Sequence, residues 1–160
     1  MKNHATPATE FEPAFVTGLT KIFEELIVFN QVLGLKITSI KPDCVSGRID
    51  MRPELVGHCS LNRIHSGAIS AALDAMGGLA AIAAVGARHM DEAPKQRLGR
   101  FGKLGTIDLQ IDYLWPGISD HFELRAEALG LRASVATTRM EFLAADGKLL
   151  STATGAYIVS

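Results

Sequence analysis

Apolar residues recur at three- and four-residue spacing over residues 13–30, through Phe15, Leu19, Ile22, Phe23, Leu26 and Ile27, while Lys21, Glu24 and Glu25 fall elsewhere. The spacing predicts an amphipathic N-terminal helix. Pro13 suits its first turn, and Gly34 breaks the chain after it. Residues 35–40 alternate as a strand does. Pro42-Asp43 marks a turn and residues 45–51 read as a second strand, so the pair predicts a hairpin. Residues 53–64 have weak periodicity and read as a loop. Residues 65–86 are apolar almost throughout and predict one long helix. Gly77 and Gly78 lie inside it. Each costs a helix about 1 kcal/mol relative to Ala, so another backbone or sheet is expected to come very close there. Residues 88–103, charged and holding Pro94, Gly99 and Gly102, read as a mobile connector.

The second half changes period. Residues 106–114 alternate, with Ile107, Leu109, Ile111 and Tyr113 on one face and Thr106, Asp108, Gln110 and Asp112 on the other. Residues 121–131, 134–145 and 148–159 repeat the pattern, and Asp146-Gly147 is a hairpin signal between the last two. Two strands, a long helix and then a run of strands predict an α+β fold rather than βαβ alternation. The expectation is a curved antiparallel sheet of about six strands wrapped around one central helix, with the N-terminal helix added. Residues 1–12 are expected to be a flexible N-terminus and 13–160 a single domain.

Composition narrows the function classes. Sixteen Lys and Arg against 17 Asp and Glu give a formal net charge of −1, so no bulk positive field exists for nucleic acid. Hydrophobic residues at 48% and charged residues at 21% are the balance of a globular chain that buries a core without staples. Two cysteines, Cys44 and Cys59, are too few for a disulfide framework, and reduced thiols imply a cytoplasmic protein. The N-terminus lacks an apolar signal core. Residues 67–87 match a membrane span in length, but Ala and Gly dominate them and Asp74 lies inside. A central carboxylate costs insertion roughly 2.5–3.5 kcal/mol, so no membrane span is expected.

The chemistry concentrates at the long helix. His65-Ser66-Gly67 falls at its start, where unpaired N–H groups and the positive end of the dipole can hold an anion or a developing oxyanion. Taken alone, His65 is equally a capping or packing histidine. Asp74 is the only charged side chain between His65 and Arg88. A carboxylate in such surroundings is either paired structurally or tuned for use as a base or nucleophile.

His65-Ser66-Gly67 with Asp74 nine residues after the histidine resembles the H-G-G-x6-D signature of hotdog-fold acyl-CoA thioesterases of the phenylacetyl-CoA type. Residues 105–117, G-T-I-D-L-Q-I-D-Y-L-W-P-G, are similar to that family's third-strand text, and Asp146-Gly147-Lys148 with 153–157 resembles its closing hairpin. The match runs over 34–160 and is most similar to the YigI-like branch. The resemblance implies hydrolysis of medium- to long-chain fatty acyl-CoA, with coenzyme A as part of the substrate and no further cofactor or metal. It implies Asp74 as the catalytic carboxylate, attacking the thioester or activating water. Ser66 stands at the family's first glycine, whose backbone N–H binds the thioester oxygen, and this requires that position 66 not need positive φ. His65 matches the histidine that supports the turn with Gly67, and Thr106 matches a hydroxyl that orients water or the carboxylate. His58 falls where relatives carry an Asn near the substrate carbonyl. Arg97, Arg100, Lys103 and Arg132 are candidate cations for the coenzyme A phosphates.

Spacing adds a constraint. Ser66 and Asp74 are eight residues apart, so about 12 Å along one helix. A thioester needs its oxyanion donor and its nucleophile each about 3 Å away. Two antiparallel copies of the helix meet that demand, which predicts an obligate homodimer with composite sites, or a dimer of such dimers. The competing readings are a hotdog protein that binds acyl-CoA without cleaving it and a thioesterase for aryl-CoA such as phenylacetyl-CoA.

Overall fold

The computed structural model describes residues 10–160. Of the expected flexible stretch 1–12, residues 1–9 lie outside the described residues; Phe11 packs edge-on against Phe15, and Glu12 bonds to Arg97.

The N-terminal helical segment is broken in two. Helix α1 (Pro13–Lys21) widens into a π turn, Ile22–Leu26, stops at Ile27, and resumes as α2 (Val28–Leu33). Asn30 Nδ2 donates to the Phe23 carbonyl at 2.9 Å, satisfying an acceptor that an unbroken helix would have used. Gly34, at φ 69°, caps α2 in the left-handed region. Strands β1 (Lys36–Ile40) and β2 (Val45–Asp50) form the expected hairpin. Residues 53–64 are not a plain loop. Two single turns flank a small hairpin of β3 (Val56–His58) and β4 (Arg63–Ile64), reversed by Asn62 in the left-handed conformation. The period signal fails there because strands of three and two residues are too short to show one.

Helix α3 (Ser66–Arg88) follows. The connector after it is ordered by a fourth helix, α4 (Pro94–Gly99), and a further turn, so the expectation of a mobile segment is corrected. Arg97 holds α4 in place: its side chain is buried, stacks on the Phe15 ring and meets the Glu12 carboxylate. The chain ends in β5 (Gly105–Tyr113), β6 (His121–Arg132), β7 (Val135–Ala144) and β8 (Leu149–Ile158).

Six strands form one antiparallel sheet in the order β1-β2-β6-β7-β8-β5, wrapped around α3. Phe122 and Leu124 of β6, Met140 and Phe142 of β7 and Ala153 of β8 face Leu73, Met76 and Leu79 of α3 in one core. Alternation along β6–β8 puts these residues on a single face, and their burial is the main driving force for wrapping the sheet. Helix α3 is long and apolar enough to cross a membrane, but 67% of its apolar stretch is buried inside the sheet. Both glycines at its middle are sites of close approach, as expected: the Tyr157 hydroxyl lies over Gly77 and the Leu104 side chain over Gly78.

One departure matters for the site. Strand β5 does not alternate cleanly. A bulge between Thr106 and Asp108 sets Thr106 opposite Tyr157 and Asp108 opposite the adjacent Ala156, leaving Ile107 as the extra residue. An undisturbed strand would put Thr106 and Tyr113, seven positions apart, on opposite faces. With the bulge, both side chains reach α3.

Candidate active site

The site is built on the two ends of α3's exposed flank. His65 caps the helix: its backbone is extended at φ −66°, ψ 134°, and its ring Nδ1 accepts from Gly67 N–H at 2.8 Å. A Cβ on Gly67 would fall 2.8 Å from that same nitrogen, so the glycine admits the ring. Ser66 is exposed, is the first helical residue, and is not among the residues at positive φ. A serine therefore fits where a glycine was expected. With the Gly67 N–H spent on the cap, the Ser66 N–H is left without an acceptor among the described residues.

Tyr113, at the end of β5, braces this turn. Its hydroxyl donates to the Ser66 carbonyl at 3.2 Å and also meets Ser70 Oγ, which donates to that carbonyl at 2.9 Å. A shallow pocket of about 220 Å³ opens here between Ser66, Ile69, Arg63 and the Tyr113–Gly117 segment.

Asp74, two turns further along, is half-buried and forms part of a second pocket of about 370 Å³. Phe23, Ile27, Phe29, Phe101 and Leu104 supply its apolar wall, and Thr106 and Tyr157 its polar edge. Thr106 Oγ1 donates to Asp74 Oδ1 at 2.9 Å. The single Tyr157 O–H is shared between the same Oδ1 and the Asp74 backbone carbonyl, each at 3.2 Å. Burial, reinforced by the neighbouring carboxylate, raises the Tyr157 phenol above its ordinary pKa, so it stays protonated and remains a donor. The lone carboxylate of the sequence is thus held by two hydroxyls, not by a basic residue.

The two pockets share no lining residue. Within one chain the structure brings Asp74 to Thr106, and His65 to Ser66 and Gly67, and keeps these two groups apart. His58 is exposed at the end of β3, outside both pockets.

The candidate cations divide. Arg97 is not a surface group: at 1% exposed and engaged by Glu12 and Phe15, it has no free face for a phosphate, and that expectation is corrected. Arg100 is half-buried and paired with Glu92, which holds the Glu92 carboxyl below its usual range and the guanidinium above its own. Arg132 is exposed at the end of β6. Phe23 lines the Asp74 pocket, while Phe15, Met76, Leu79 and Ile82 are buried in the core and offer no wall to an acyl chain there.

Sequence reasoning missed Tyr157, Tyr113 and Ser70. A signal existed for the first: a tyrosine on a buried strand face must find a partner for its hydroxyl, and the α3 glycines announced a close approach. Tyr113 was hidden by the bulge.

No family model matches the chain. Over 131 residues it is 30% identical to the medium/long-chain acyl-CoA thioesterase YigI of Salmonella typhimurium, covering 82% of this chain and 84% of that one. YigI of Escherichia coli strain K12 is 29% identical over the same length, with the same coverage. Among solved structures, a thioesterase-superfamily protein of Shewanella oneidensis superposes with a TM-score of 0.86 at 31% identity, covering 94% of this chain and 100% of that one.

Proposed function

We propose that this chain, which belongs to the acyl-CoA thioesterase family of YigI, hydrolyses medium- to long-chain fatty acyl-CoA to the free acid and CoA through Asp74. The observation that carries this reading is a half-buried carboxylate at the edge of an apolar pocket, with one oxygen tied by two hydroxyls and the other free to act. The aromatic and aliphatic wall suits an alkyl tail, and the relatives' names give the same substrate class.

The thioester carbonyl accepts from the N–H of Ser66 at the tip of the partner subunit's α3, where the helix dipole favours the developing oxyanion. Asp74 then acts as general base or nucleophile. As a base it takes a proton from water, the hydroxyl adds to the carbonyl carbon, the C–S bond breaks, and the CoA thiolate leaves and takes up the proton. As a nucleophile its oxygen adds to the carbonyl carbon, the C–S bond breaks to release the CoA thiolate and leave an acyl anhydride, and water opens the anhydride to the free acid and the Asp74 carboxylate, its spare proton going to the thiolate. Two structural features support the shared site. Strand β5 is an edge strand, so a second copy can pair with it. Thr106 beside Asp74 and Tyr113 beside Ser66 sit at opposite ends of that strand, so antiparallel pairing of two β5 strands lays one subunit's Ser66 end against the other's Asp74 end. Of Arg97, Arg100 and Arg132, Arg132 is the exposed one and is the candidate kept for the CoA phosphates.

The test is thiol release from a series of acyl-CoAs by the native protein and Asp74→Asn. Loss of at least about 100-fold in kcat with the fold retained is expected. Near-normal turnover by the variant overturns the assignment.

A further inference from the structure

Tyr157 lies on the inner face of β8, directly across the ladder from Thr106, and is 1% exposed. Its hydroxyl and that of Thr106 converge on one oxygen of Asp74: Thr106 Oγ1 is 2.9 Å from Oδ1 and Tyr157 Oη 3.2 Å from it. Oδ2 accepts no hydrogen bond among the described residues. The chain makes room for this phenol in two places. A Cβ on Gly77 would fall on the hydroxyl, and one on Gly155 would stand 2.8 Å from the ring. The Thr138 hydroxyl, fully buried, backs the phenol from β7.

We infer that Tyr157 is a positioning residue of the hydrolysis: with Thr106 it pins Oδ1 and thereby presents Oδ2 as the oxygen that meets water or the thioester. The inference rests on Asp74 being the catalytic carboxylate. A buried tyrosine serving packing alone needs one acceptor, and the Asp74 backbone carbonyl already supplies it at 3.2 Å. The second contact, to the side chain, fixes the rotation of the carboxylate. A carboxylate held in one orientation reacts from a near-attack geometry; one free to swing spends most of its time elsewhere. The contribution therefore belongs to kcat. KM is not expected to move, because the phenol is 1% exposed and losing its hydroxyl leaves the ring at the edge of the pocket in place.

Tyr157→Phe keeps the ring and removes the hydroxyl. Its kcat is expected to fall about 10- to 100-fold, with KM within about two-fold of native and the melting transition still cooperative. The 13C resonance of the Asp74 carboxyl, assigned by its loss in Asp74→Asn, is expected to move in Tyr157→Phe, since the hydroxyl bonds that group directly. This shift reads the contact even where the variant is destabilised. Native kcat in Tyr157→Phe, or an unmoved carboxyl resonance, overturns the inference. So does a parallel loss of kcat, KM and thermal stability, which marks a purely structural role. Should Asp74→Asn prove inactive while Tyr157→Phe turns over normally, the positioning role fails and the catalytic carboxylate stands. Turnover by Asp74→Asn removes the carboxylate assignment itself.

Discussion

Gly77 of α3 and Tyr157 of β8 fit only as a pair: the tyrosine hydroxyl occupies the space in which a Cβ on residue 77 would stand. The helix gives up the Cβ at its middle, and the sheet sends a buried phenol to the vacated surface, where it reaches Asp74 three residues earlier.

Gly77→Ala should therefore reverse the usual helix rule. Alanine ordinarily gains about 1 kcal/mol over glycine inside a helix, but overpacking against a fixed phenol costs about 1–3 kcal/mol. A melting temperature lowered by a few degrees is expected, together with reduced kcat. Gly99→Ala is the control, because nothing lies within 4 Å of its Cβ and its backbone is helical at φ −61°. Thermal unfolding of both variants checks this.

Ser66→Pro should remove the oxyanion donor and leave the helix. Proline is favoured at the first helical position, and the residue before it must be extended. His65 already is, at φ −66°, ψ 134°. A loss of about 10²–10³ in kcat is expected with native circular dichroism, while Ser66→Ala, which keeps the N–H, stays near native.

Mixing the two inactive proteins, Asp74→Asn and Ser66→Pro, should restore turnover. If each site draws on both subunits, a random heterodimer holds one intact site, and exchange at equal amounts recovers about a quarter of native activity. Sites contained within one chain would recover none.

The Arg97–Glu12 contact predicts a pH signature. Hydrogen bonds from Arg97 hold the Glu12 carboxyl below the usual carboxylate range, so its stabilising effect is present above the ordinary value and is lost as pH falls through the lowered one. Glu12→Gln should melt below the native protein at pH 7, leaving a buried guanidinium without its charge partner. The gap should close as both are titrated below about pH 4. A gap that stays constant across that range would contradict the assignment.

The layered order of the fold was legible because long strands and a long helix carry strong periods. Met140 and Phe142 on β7 are inward exactly as two-residue alternation requires, and Gly77 and Gly78 foretold the close approach. What could not be read was decided by tertiary context. A one-residue bulge at Ile107 turned Thr106 and Tyr113 to the same helix, and no local pattern marks where a ladder slips. Arg97 looks like any surface arginine until Phe15 and Glu12, 82 and 85 positions away in the chain, are folded against it. Asp74 was singled out by its isolation among apolar neighbours and Thr106 by the family text of its strand, while the second hydroxyl, that of Tyr157, came from a strand with no sequence link to either.

Two turns of α3 separate Ser66 from Asp74, and that spacing carries a cost in concentration. If the site is shared between subunits as proposed, every turnover depends on an encounter between chains, and turnover per milligram should fall on dilution once the subunits part. Expression level would then govern flux more steeply than in proportion, silencing the hydrolysis where the chain is scarce.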